Sequence, residues 1–135
     1  MTHPIAMLQA LLVPALLADP DLVAALGGPN VFDAPSRGIG SPYVAILRHD
    51  LLPHDGDLTP GFEHRIVFEA RHPDASRKQA LAAIERIEAV ASAVTGSSDL
   101  IVTSVFPVRI ETAIDLKTGE ARAALTLRIL TEPAS

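Results

Sequence analysis

Apolar and polar positions change their spacing several times along the chain, and each change marks an element. Between Ala75 and Val94, Leu81, Ile84, Ile87, Val90 or Ala91, and Val94 recur every three or four residues, while Arg77, Lys78, Glu85, Arg86 and Glu88 fall mostly elsewhere. That is the period of an amphipathic helix. Asp74 is placed to cap its start, and Thr95-Gly96-Ser97-Ser98 to end it. Ahead of it the period is two: Phe62, His64, Ile66, Phe68 and Ala70 alternate with Glu63, Arg65, Val67, Glu69 and Arg71, a strand with one dry face. Tyr43 to Leu51 is rich in strand-favouring residues. After the helix, Ile101 to Asp115 places Phe106, Val108, Ile110 and Ile114 opposite Arg109, Glu111 and Asp115. A turn at Lys117-Thr118-Gly119-Glu120 then leads into Ala123, Leu125, Leu127 and Ile129, with Arg122, Thr126 and Arg128 on the other side. This reads as a hairpin. Pro107 lacks a ladder donor, so its strand should bend there or lie at the sheet border.

The first thirty residues read as helical. Ile5 to Ala18 is almost continuously apolar, with Pro4 suited to a first helical turn and Pro14 predicting a kink or stop. No Lys or Arg precedes Arg37, and Gln9 and Pro14 interrupt the run. A buried helix is therefore expected rather than a targeting signal or a membrane span. Asp19-Pro20 opens a second helix of about two turns, whose apolar face is Leu22, Val23 and Leu26 and whose end is Gly27. From Gly28 to Pro42 only Val31 and Phe32 look like strand. The whole predicts a single α+β domain, residues 1–135: an antiparallel sheet with helices packed on one face.

Composition narrows the chemistry. Five aromatic residues and no Trp leave Ala, Leu, Ile and Val to fill one core. The net charge of −5 argues against a surface that grips nucleic acid by neutralising phosphates. There is no cysteine, hence no disulfide, thiolate nucleophile or Cys-ligated metal. His49, His54 and His64 with Asp50, Asp55 and Asp57 contain zinc-compatible ligand types, but no His pair has the spacing of a helical HExxH site. Polar strand and loop roles are the expectation, with no metal and no cofactor. Gly38-Ile39-Gly40-Ser41 matches neither GxGxxG nor the lysine-bearing phosphate loop, and no GxSxG elbow is present, so no catalytic residue is assigned.

Two features suit contact between proteins. Nine of the eleven cations are Arg, and Arg65, Arg71, Arg109, Arg122 and Arg128 alternate with apolar strand positions among Glu63, Glu69 and Glu111. Such a face either pairs across its own strands in solvent or meets a neighbouring copy, where Arg favours bidentate pairing. The segment from Leu52 to Gly61 is longer than a hairpin loop requires and carries Asp55 and Asp57. It is either a mobile surface loop or an arm that touches a partner or faces a channel.

Several segments occur in a telling order. A Gly-rich bend into Val31-Phe32-Asp33-Ala34-Pro35 follows the amino-terminal helices. Then come Pro42-Tyr43-Val44, the strand carrying Glu63-His64, the long helix, and Ala121 to Thr131 before Glu132-Pro133. Across almost the whole chain this order resembles the tail-terminator, or tail-completion, proteins of long-tailed bacteriophages and gene transfer agents. The resemblance implies a virion structural protein, not an enzyme. Such a protein forms a ring, typically of six copies, that caps the head-proximal end of the tail tube, stops polymerisation and meets the head connector or stopper protein. DNA passes through the lumen without sequence recognition. The location implied is the tail-neck region of a phage-like particle assembled in the bacterial cytoplasm, with no membrane partner. Within that frame Asp50, Asp55 and Asp57 are candidate lumen or tube contacts. Arg65, Arg109, Arg122 and Arg128 are candidate inter-subunit contacts. Another neck adaptor, or a small α+β enzyme or ligand-binding module, stays open as an alternative.

Overall fold

A computed structural model describes residues 3–34, 38, 40–55 and 60–134. Helices α1 (Pro4–Leu17) and α2 (Pro20–Leu26) lead into a two-residue strand β1 (Val31–Phe32). Strands β2 (Tyr43–Pro53) and β3 (Phe62–His72) follow, then helix α3 (Arg77–Ala93) and the hairpin of β4 (Leu100–Ile114) and β5 (Ala121–Pro133). The sheet order is β1-β2-β3-β5-β4. All neighbours are antiparallel except β1, which runs parallel to β2 with Val31 opposite Val44. The expected α+β architecture is therefore present, with one short parallel addition. The Gly- and Pro-rich stretch between β1 and β2 returns the chain to the same end of the sheet, as parallel neighbours require.

One face of the sheet, here called inner, supplies Val44, Ile46, Ile66, Phe68, Leu125, Leu127 and Ile129 to the core, all buried. Ala80, Ala83, Ile84, Ile87 and Ala91 of α3 and Leu8, Leu12 and Leu16 of α1 pack into the same cluster. Each buried Leu or Ile contributes roughly 1.5–3 kcal/mol relative to exposure. No single helix is long and apolar enough to cross a membrane.

Local chemistry explains most of the boundaries. Asp19 caps α2, its Oδ2 accepting from the Leu22 amide at 3.0 Å, and Gly27 closes that helix in the left-handed region at φ 69°. The same carboxylate takes two hydrogen bonds from Arg86, at 2.9 and 2.8 Å, which tie α2 to α3. Arg86 is the leading reason the Asp19 carboxyl sits below its usual range.

Four expectations change. Of the kink or stop expected at Pro14, the stop does not occur: helix α1 continues to Leu17, with Ala6, Ala10 and Pro14 on its exposed stripe and Leu16 buried in the last turn. The cap of α3 is Ser76, whose Oγ accepts from the Gln79 amide, not Asp74. Strand β2 runs to Pro53, and the His54 amide bonds the Gly61 carbonyl at 2.9 Å, so the long connection narrows to 54–61. Phe106 and Ile110 occupy opposite faces: a register shift between Pro107 and Arg109 sets Phe106 across from Arg128 and Ile110 across from Leu125. An extra residue in one strand reverses side-chain parity beyond it. Pro107 does lie on an edge strand, beside that bulge.

Candidate functional site

The sheet's second face, turned away from the helices, carries the charged residues in ordered pairs. Glu63 accepts from Arg65 Nε and from Arg128 Nε, each at 2.9 Å. These two guanidinium groups, Arg128 first, hold its carboxyl below the usual range. The Arg128 guanidinium also lies 5.6 Å from the centre of the Phe106 ring. Arg71 bridges Glu69 at 2.7 Å and Glu120 at 3.4 Å, and the Glu69 bond is the main cause of its raised pKa. Glu63 and Glu69 are only 8% exposed, whereas Arg65 between them on the same face stands open to solvent. Arg65 and Arg71 thus pair along β3 itself, while Arg128 pairs across from β5.

Arg109 and Arg122 differ. Arg109 pairs with Glu111 on the edge strand, both groups more than half exposed. Arg122 lines a shallow depression of about 270 Å³ with Leu47, Val67, Glu69, Glu111 and Ala124. Its Nε is buried and meets no hydrogen-bond partner among the described residues.

The acidic candidates do not form one cluster. Asp50 stands on the outer face of β2 across from Arg65, and Arg48 Nε donates to it at 2.7 Å. Asp55 folds back on its own loop, accepting from the Gly61 amide at 3.1 Å. Asp57 lies outside the described residues, as do 35–37 and 39 of the glycine-containing loop.

The histidines are used differently from a metal set. A register shift between Ile46 and Arg48 turns His49 to the inner face, where its Nε2 stands 2.8 Å from His64 Nδ1. His64 Nε2 reaches Thr131 Oγ1 at 2.9 Å, and the Gln9 side-chain amide reaches His49 Nδ1 at 3.0 Å. One assignment satisfies every group: Gln9 donates to His49, His49 to His64, and His64 to Thr131. Burial is the main cause that lowers both imidazoles to about 4. This relay ties α1 to β2, β3 and β5. His54 stands exposed beyond the end of β2, and no three His, Asp or Glu side chains converge on a metal position among the described residues. The sequence signal for half of it was the place of His64 in phase with Ile66 and Phe68. Gln9 and Thr131 carried none.

Exposed apolar side chains concentrate on β4. Ile101, Phe106, Val108 and Ile110 are 42–50% exposed, and Leu47 and Leu52 of β2 are similar. Among the described residues, Thr95 to Ser97 cover only the first three residues of β4 on its outward side.

No protein-family model matches this chain, and no curated protein matches it. Among solved structures it is similar to a chain of the virion of a native gene transfer agent particle. The TM-score is 0.79 at 24% identity, over 97% of this chain and 99% of that one. The two chains share a fold along their full length.

Proposed function

We propose that this chain is a structural component of a phage-like particle, and within it a tail terminator. Copies of it, six to a ring, close the head-proximal end of the tail tube, end its growth and dock the head connector or stopper protein in the tail-neck region. The observation that carries the reading is the full-length fold likeness to a chain of a gene transfer agent virion. The order of segments by which the sequence resembles tail terminators supports it independently. So does the placement of polar groups: the histidine relay serves as a strut between elements, while several large apolar side chains stand exposed on β4.

DNA is a passenger in this reading. Each copy carries a net charge of −5, and an acidic lumen repels phosphate, so the duplex slides without sticking. Asp55 and Asp57, on the 54–61 connection, are the proposed lumen or tube contacts, with Asp50 on the sheet beside them in sequence. Of the four arginines proposed for subunit contact, Arg109 is the most accessible, since Arg65 and Arg128 are engaged by Glu63.

Mixing the purified protein with polymerising tail tube protein tests the reading. Rings seated on one tube end, with tube length arrested, are the expected result. Tubes that grow on, bare-ended, overturn it. Binding to the connector without any effect on tubes would assign a neck adaptor instead.

A further inference from the structure

We infer that copies of this chain join side by side through their sheet edges, β4 of one copy adding antiparallel to β2 of the next. The inference rests on the ring reading for its head-to-tail arrangement, and on strand directions and charge for everything else.

Both edges of the sheet are open. Beyond the cover from Thr95 to Ser97, β4 has no strand beside it among the described residues, and β1 covers β2 only at Val44 and Ala45. Open edges of this length are templates for pairing; Pro107 and the bulge beside it interrupt the β4 edge between Phe106 and Arg109, and the charges on both edges are of mixed sign, so each edge can accept the other. Direction then decides geometry. Each of the pairs β2–β3, β3–β5 and β5–β4 is antiparallel, so β4 runs opposite to β2. Two copies in the same orientation, set side by side, therefore present β4 antiparallel to β2. A heterologous contact of this kind closes into a ring when its rotation allows.

Side chains select the register. On the outer face β2 shows Arg48, Asp50 and Leu52 in order, and β4, read backwards, shows Glu111, Arg109 and, past the bulge, Phe106. Antiparallel pairing sets Arg48 against Glu111, Asp50 against Arg109 and Leu52 against Phe106. Leu52 is 48% and Phe106 44% exposed in the single chain. The charges now pair only along their own strands, Arg48 with Asp50 and Arg109 with Glu111, all in the open. Across the contact each gains a second opposite partner and loses solvent. Pairing ends where β1 begins. A two-fold β4–β4 contact would also match Arg109 with Glu111, but it leaves the β2 edge and Leu52 uncovered. The head-to-tail contact covers both edges at once. Asp50 becomes an inter-subunit residue here rather than a lumen contact.

Because the chain has no cysteine, disulfide trapping reads the contact directly. The variant carrying Asp50→Cys and Arg109→Cys, mixed with tube protein and mildly oxidised, should give a ladder of covalent oligomers. The two single variants mixed together should give mainly heterodimers. In parallel, Asp50→Arg and Arg109→Asp should each weaken self-association about tenfold, and their combination should restore it. Thermal melts of all variants separate lost assembly from lost folding. Dominant dimers of Arg109→Cys with itself would overturn the inference in favour of β4–β4 pairing. Tube capping with no cross-link would overturn it and leave the ring reading standing. A ladder without capping would keep the edge pairing and remove the tube-end role.

Discussion

Mild acid should loosen this fold. The perturbation is a shift from pH 7.5 to 5, and the responding groups are His49 and His64, inside the relay from Gln9 to Thr131. Burial lowers both from 6.5 to about 4. For each group the folded pKa lies below the unfolded one, so between 6.5 and 4 the unfolded chain binds more protons than the folded chain. Stability is therefore fully present above pH 6.5 and declines as pH falls toward 4. For one imidazole with these values the loss at pH 5 is about 2 kcal/mol. The relay accepts one proton by turning the Gln9 amide so that its oxygen faces His49, but a second would set two cations 2.8 Å apart. Urea denaturation at pH 7.5, 6 and 5 measures the decline. An imidazole NMR titration follows whether both rings stay neutral at pH 5. Replacing both partners removes the effect: the variant carrying His49→Leu and His64→Leu should lose the slope between pH 6.5 and 5, above the range where the lowered Asp19 and Glu63 carboxyls contribute. A wild-type midpoint that holds constant from pH 7.5 to 5, or a slope that persists in the double variant, would refute the reasoning.

Three further outcomes are expected. Asp19→Asn keeps the α2 cap but weakens the bond to Arg86, and Asp19→Ala loses both, so denaturation midpoints should fall in the order wild type, Asn, Ala. Arg122→Met removes a buried donor that meets no partner among the described residues and should raise stability by about 1 kcal/mol in urea titrations, the opposite of an ordinary Arg truncation. Gly61→Ala drives a Cβ into the His54 carbonyl oxygen. It should open the base of the 54–61 connection and raise hydrogen exchange at the His54 amide by at least about tenfold, with the core amides unchanged.

Local patterns along the chain determined the element types. The alternation in β3 and the helical period of α3 report which side chains must leave water, a local property. Asp19-Pro20 and Gly27 set α2 by capping chemistry that acts within a few residues. The place of Val31-Phe32 as a strand fragment, and of Pro107 at the sheet border, follows from the same short-range rules. The structure decided what depends on register. One extra residue near Leu47 turned His49 inward to meet His64, and another beside Pro107 sent Phe106 to the face of Arg128 and left Ile110 on the other. No local pattern announces a bulge, because the partner strand defines it. The pairing of Glu63 with both Arg65 and Arg128 joins β3 to a strand about sixty residues later, and the Gln9 relay needs α1 to land on β2. Apolar period and capping are written into neighbouring residues. Parity, pairing and the open edges of β2 and β4 exist only once distant strands have met.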